Sequence, residues 1–242
     1  ALGSPQETRG ETDAIEYLYR IDPFDQVVVT CLDGTVQSVV ITLAGSFPPA
    51  TLAKELGLAQ IVSVVVPDEV GTPLGQVFPE RGVLFTYDPR EADSRLVSQV
   101  ILDPIDAQPF VLRAEFRSKK HPQESLADLD FALSLDGNYG RAHWLRAKLL
   151  HDLGRLEEAR RSIAAAQQIE PQIIEYRLTS AAIDFDLGET ESATEATRAV
   201  VAASPEPASL EAEAYLQLGN QLARGRNDAF AEAIQAHQKA IE

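Results

Sequence analysis

The feature that most restricts this chain is a self-similarity at an interval of 34 residues in its second half. Leu153-Gly154 returns as Leu187-Gly188, Ala159 as Ala193 and Pro171 as Pro205, each 34 positions on. Upstream, Leu129, Ala132, Leu135 and Gly137 meet Ile163, Ala166, Ile169 and Pro171 at the same interval. Leu112-Arg113-Ala114-Glu115 meets Leu145-Arg146-Ala147-Lys148 at 33, the missing residue falling in the intervening turn. A last unit carries Ala214-Tyr215-Leu216-Gln217-Leu218-Gly219, then Ala233, His237 and Ala240. Units of this length cannot bury their apolar faces alone, so three or more must stack.

A period of 34 with this content resembles the tetratricopeptide repeat. Residues 142–171 are the most complete copy, with Ala147, Leu150, Gly154, Ala159, Ile163, Ala166 and Pro171 at the family's small, large and proline positions. Two antiparallel helices approach closely only where a small residue faces a bulky one, and the proline ends the second helix. The resemblance covers residues 106–242 and implies an all-α superhelix of about four helix-turn-helix repeats: 106–139, 140–173, 174–210 and 211–242. The stretch 205–210 carries two prolines and offsets the third and fourth units. No polar capping helix follows the last repeat, which predicts that the chain continues past Glu242 or that this face docks onto another chain.

The first half has the punctuation of a β-rich domain. Val27-Val28-Val29-Thr30-Cys31-Leu32 and residues 36–43 are β-branched runs joined by Asp33-Gly34, the signature of a type I′ hairpin. Ser46-Phe47-Pro48-Pro49 opens a short helix at 50–56 that Gly57 closes. Residues 61–66, 74–78, 83–87 and 96–102 return to strand texture with short turns between them. The expected domain spans 11–105 and is α+β: an antiparallel sheet with the short helix on one face. Leu56-Gly57-Leu58 and Arg81-Gly82-Val83-Leu84-Phe85 resemble the small α+β domains of bacterial envelope lipoproteins. That resemblance implies no residue role and tilts the expected compartment toward the bacterial periplasm. Residues 1–10, small and polar, read as a flexible tail, the start of a mature secreted chain or a cloning remnant.

The chain holds 37 acidic and 21 basic side chains, net −16, a field that repels nucleic acid and anionic lipid. Its one cysteine, Cys31, rules out an intrachain disulfide and a cysteine zinc site, and its strand context makes it a small buried apolar residue. Apolar runs reach about 6 to 8 residues, short of the ~20 that span a bilayer. No phosphate loop, dinucleotide fingerprint, zinc helix or nucleophile elbow occurs. His121, His143, His151 and His237 are expected on surfaces or in helix packing, and the pairs Asp128/Asp130 and Asp184/Asp186 on solvated faces. No enzyme activity, cofactor or metal is expected.

The family resemblance implies that the first helix of each unit lines a groove. On the helix at 141–151, Arg141, Trp144, Lys148 and His151 form one stripe, spaced 3, 4 and 3, while Ala142, Leu145, Ala147, Leu149 and Leu150 supply the core. The matching positions are Val111 and Glu115 in the unit before, and Leu178, Ala182 and Phe185 in the unit after. These nine residues are the candidate peptide-binding trough, apolar with a basic edge; the competing reading has Trp144 packed between adjacent repeats. Residues 106–171 carry 10 acidic and 10 basic side chains, against 12 and 5 in 172–242 and 15 and 6 in 1–105. An acidic peptide with a bulky apolar anchor is therefore the expected partner. The family's chaperone-tail clamps use matched Lys, Asn and Arg residues; here Lys148 is present and the asparagine is not. The expected function is a protein-interaction adaptor or scaffold. The alternative is a structural subunit of an oligomeric or envelope assembly that stacks through its last repeat.

Overall fold

Asp33 and Gly34 both take positive φ, 49° and 75°, the turn that hairpin strands with right-handed twist require. The computed structural model describes residues 3–11, 14–67, 70–88, 95–203, 206–224 and 230–241. In it the turn joins β3 (Phe24–Leu32) to β4 (Thr35–Phe47), with Val28 opposite Val40. Helix α1 (Pro49–Glu55) follows. Its end is a Schellman cap: Gly57 at φ 68° donates to the Lys54 carbonyl, and Leu58 donates to that of Ala53 and is buried. Strands β5 (Val64–Pro67), β6 (Pro73–Phe78), β7 (Val83–Tyr87) and β8 (Val97–Leu102) complete the meander.

These strands belong to one antiparallel sheet of eight, in the order β1 (Glu7–Glu11), β2 (Ala14–Tyr19), β3, β4, β8, β7, β6, β5. The meander folds back so that its last strand docks on the hairpin, Ile41 opposite Val100. Alternation along β7 puts Val83, Phe85 and Tyr87 on the face that α1 covers, where they meet Ala53, Leu58, Phe78, Val97 and Val100. Phe85 is fully buried and meets the edge of Phe78 at 4.9 Å.

Two strands precede the hairpin. β1 (Glu7–Glu11) pairs with β2 (Ala14–Tyr19), which pairs with β3. Residues 7–10, expected in a flexible tail, are therefore strand. The backbone groups on the outer edge of β2 find their partners in β1, a segment with no large apolar side chain to mark it. Gly10 has φ 104°, and a Cβ there would run into the Ala14 carbonyl oxygen, so the return into β2 requires glycine. Cys31 lies in β3 opposite Val36 and is half-buried rather than buried.

The chain divides into two compact units, Ala1–Arg113 and Ala114–Glu242, within α2 (Ala107–Arg117) rather than after residue 105. The second unit continues through α3 (Pro122–Leu135), α4 (Gly140–Asp152), α5 (Leu156–Ile169), α6 (Ile174–Asp186), α7 (Thr190–Ala202), α8 (Ala208–Arg224) and α9 (Phe230–Lys239). Helix α4 packs on α5, α6 on α7 and α8 on α9, and the alternate helices α4, α6 and α8 touch in sequence. The recurring Leu-Gly pairs are Schellman caps like that of α1. Gly154 and Gly188 take φ 73° and 98°, and the next N–H groups reach Leu150 and Asp184. Ala142, Ala147, Ala159, Ala166 and Ala214 are fully buried, which lets the helices approach closely.

Helix α8 begins inside the repeat expected to end at residue 210, because the Pro207 carbonyl accepts from Leu210 and starts the helix. Pro205 and Glu242 lie outside the described residues. Asp128, expected on a solvated face, is 4% exposed and pairs with Arg117 at 2.6 Å. Thr197 stands where earlier repeats have Leu129 and Ile163; it is buried and returns its hydroxyl to the Ala193 carbonyl.

Phe85→Ala should lower the unfolding free energy of the first unit by about 3–5 kcal/mol, the cost of an unfilled aromatic site. Ala147→Leu should cost the second unit about 1–3 kcal/mol by overpacking the helix crossing. Denaturant titrations followed by circular dichroism check both.

Candidate functional site

Burial of Ala142, Ala147, Leu149 and Leu150 fixes the rotation of α4 and leaves Arg141, Trp144, Lys148 and His151 off the core, with Leu145 half-buried. Trp144 is half-buried and joined to the next first helix. Its Nε1–H donates to Thr179 Oγ1 at 2.8 Å, and that hydroxyl donates to the Glu175 carbonyl at 2.8 Å. The indole lies 5.9 Å from the Tyr176 ring, and Lys148 Nζ stands 4.7 Å from the indole centroid. The tryptophan is thus both a joint between successive hairpins and a wall of the surface beside them.

That surface is a cavity of about 510 Å3 lined by Tyr139, Trp144, Ile173 and Tyr176 with Glu115, Arg141, Glu170 and Glu175. Tyr176 Oη donates to Glu170 Oε2 at 2.8 Å. Burial first, and the acceptor carboxylate second, push the Tyr176 phenol far above its ordinary value, so the hydroxyl stays protonated. Gly140 makes room for this arrangement, since a Cβ there would collide with the Glu170 carboxylate.

A second cavity, of about 260 Å3, lies between α6 and α8 and is lined by Ala182, Phe185, Asp186, Gln217, Gln221 and Arg224 among others. Asp186 ties three first helices together, meeting His151 Nε2 at 2.8 Å and Arg224 at 3.0 Å. The Arg224 guanidinium also stands 5.2 Å from the Phe185 ring. Gln217 and Gln221 donate to the Leu178 and Ala181 carbonyls.

Of the nine expected trough residues, Arg141, Glu115 and Trp144 meet at the larger cavity, Ala182 and Phe185 at the smaller one, and Lys148 and His151 lie beside them. Val111 and Leu178 do not form a trough surface; they are 1% and 3% exposed. Both hold the repeat position of Trp144. An aliphatic side chain there sinks fully inward, as Leu178 does against Val200, Leu210 and Ala214, whereas the larger indole keeps part of its ring at the surface. The basic edge is also corrected. Arg141 is bound to Glu115 at 2.7 Å, His151 to Asp186, and Lys148 lies over Trp144, so both cations and the imidazole are already engaged. Thr179, Tyr176, Glu170, Asp186 and Arg224 join the site without having been read from the sequence. Asp184 and Asp186 are not simply solvated: Asp184 meets Arg160 at 3.2 Å and burial pushes its carboxyl up.

His121 faces Glu124, and His143 the Gly137 carbonyl. Among the described residues no group of three or more His, Cys, Asp or Glu could hold a metal, and no helix is long and apolar enough to cross a membrane. Within the first unit a cavity of about 230 Å3 is lined mainly by Val66, Val77, Pro79, Leu84, Pro104 and Leu112, with Asp103 in its wall. Burial pushes that carboxyl up.

Among solved structures, the chain is similar to tetratricopeptide-repeat proteins. MamA from Desulfovibrio magneticus is 22% identical over 56% of this chain and 73% of that one, with a TM-score of 0.45. PilF of Pseudomonas aeruginosa is 17% identical over 58% and 62%, with a TM-score of 0.48. The TPR2B domain of yeast Sti1, in its complex with pHsp70, is 17% identical over 56% and 95%, with a TM-score of 0.38. No protein-family model and no curated protein sequence matches the chain. The repeat character of the second unit rests on its own 34-residue spacing and on its helix pairs.

A double-mutant cycle of Trp144→Phe and Thr179→Val should give a coupling of about 0.5–1.5 kcal/mol in denaturant titrations, the worth of one hydrogen bond across the joint. The folded chain keeps the Tyr176 proton where the unfolded chain has released it, so stability falls as pH rises past about 10. Tyr176→Phe should reduce that decline, read as the difference in unfolding free energy between pH values of about 9 and 11.

Proposed function

We propose that the chain is a non-enzymatic interaction adaptor. In this reading a small α+β domain is joined to a short tetratricopeptide superhelix whose face along α4, α6 and α8 holds a peptide or helix of a partner protein. The observation that carries it is Trp144: half-buried, fixed by Thr179 and Tyr176, and bordering a cavity of about 510 Å3. A trough built before the partner arrives avoids much of the ordering cost of association. Tryptophan and arginine at such a centre are the residue types that dominate interface energies.

A second reading has its own support. Leu216 and Ile241, 49% and 86% exposed, share a cavity of about 400 Å3 at the last helix pair, and Ile234 on α9 is 57% exposed. Apolar side chains grouped in this way suit stacking on another copy or on a neighbour in an assembly.

Peptides selected for binding from a displayed random library test the first reading. Trp144→Ala should weaken a selected peptide about tenfold or more; unchanged affinity would place the site elsewhere. Sedimentation of the chain at high concentration tests the second: self-stacking predicts association that Ile234→Asp reduces, and a monomer throughout argues against it.

A further inference from the structure

We propose that the segment received by the α4–α6 face is basic, and that a lysine or arginine of the partner seats its cation beside the exposed part of the Trp144 ring, against the carboxylates of Glu170 and Glu175. This deepens the adaptor reading and rests on it. The charges around the larger cavity are three carboxylates and one guanidinium, and the guanidinium, Arg141, is bound to Glu115 at 2.7 Å. That leaves Glu170 and Glu175, and among the described residues neither has an ion pair. Among the described residues the Glu170 carboxylate accepts only from the Tyr176 hydroxyl, a neutral donor that stays protonated.

Position strengthens the case. Glu170 is held by Tyr176 on one side and by the space above Gly140 on the other, so its carboxylate is oriented before a partner arrives. Aromatic ring faces attract cations, and the indole already does so with Lys148, which is not a lining residue of the cavity. The wider field acts in the same direction: the chain carries a net −16. It draws in a basic segment and repels an acidic one. An acidic peptide would have to displace Glu115 from Arg141 while facing Glu170 and Glu175. A second copy of this chain brings the same negative field, and an apolar helix alone leaves the two carboxylates uncompensated.

The test uses the full chain and two tryptophan-free peptides of equal length, one alternating lysine with leucine and one alternating glutamate with leucine. Trp144 is the only tryptophan, so its emission reports the cavity directly. The lysine peptide should change that emission saturably and bind about tenfold more weakly in about 0.5 M than in about 0.05 M salt. Glu170→Gln with Glu175→Gln should lower affinity about tenfold. Gly140→Ala keeps both charges, adds a better helix former and displaces Glu170, so it should give a smaller loss with an unchanged circular dichroism spectrum. Equal or tighter binding of the glutamate peptide overturns the basic assignment while leaving the docking face intact. Binding of the lysine peptide that the double carboxylate variant leaves unchanged overturns the site. Failure of both peptides to bind overturns the assignment together with the docking face.

Discussion

Close approach of successive helices, permitted by alanine, is what the second unit depends on. Ala142, Ala147, Ala159 and Ala166 are fully buried, and each removes a side chain where two helices must meet. With that spacing set, α4 reaches α6 and α6 reaches α8. Larger residues then fill what the alanines leave: Leu150, Ile163 and Ile183 have at most 1% of their surface exposed. The Schellman caps at Gly154 and Gly188 return the chain in a single turn, so each pair starts from a defined geometry.

The surface follows from the same constraint. Helices that touch at alternate positions put Trp144 within reach of Thr179 and Tyr176, and His151 within reach of Asp186. Polar groups on facing helices in such proximity pair with one another. The Arg141 and Lys148 cations and the His151 imidazole are therefore already engaged, and the charge left uncompensated at the larger cavity is negative. The indole N–H and part of the Trp144 ring serve the joint between repeats, while the rest of the ring faces the cavity.

Local chemistry was legible in the sequence wherever the backbone demands a particular residue. Asp33-Gly34 gives the hairpin, Gly57, Gly154 and Gly188 give the helix ends, and the alternating β-branched runs give the strands from β3 to β8. Strand β1 was hidden because a polar edge strand is defined by its neighbour's hydrogen bonds and not by its own side chains. The division within α2 was hidden too, since a continuous helix carries no punctuation at the point where one unit gives way to the next. The site was half legible. The stripe of α4 follows from helical spacing, but its partners lie at separations of 26 residues for Glu115 and 35 for Thr179 and Asp186. One-dimensional charge counting cannot register such pairing, and so the basic edge was misread.

The indole N–H of Trp144 offers the most direct measurement, because one tryptophan gives one indole resonance. If successive hairpins are joined as described, that proton exchanges with solvent far more slowly than a free indole and loses its protection in Thr179→Val. Exchange at the free-indole rate in the unmodified chain would contradict the joint, and with it the surface built around it.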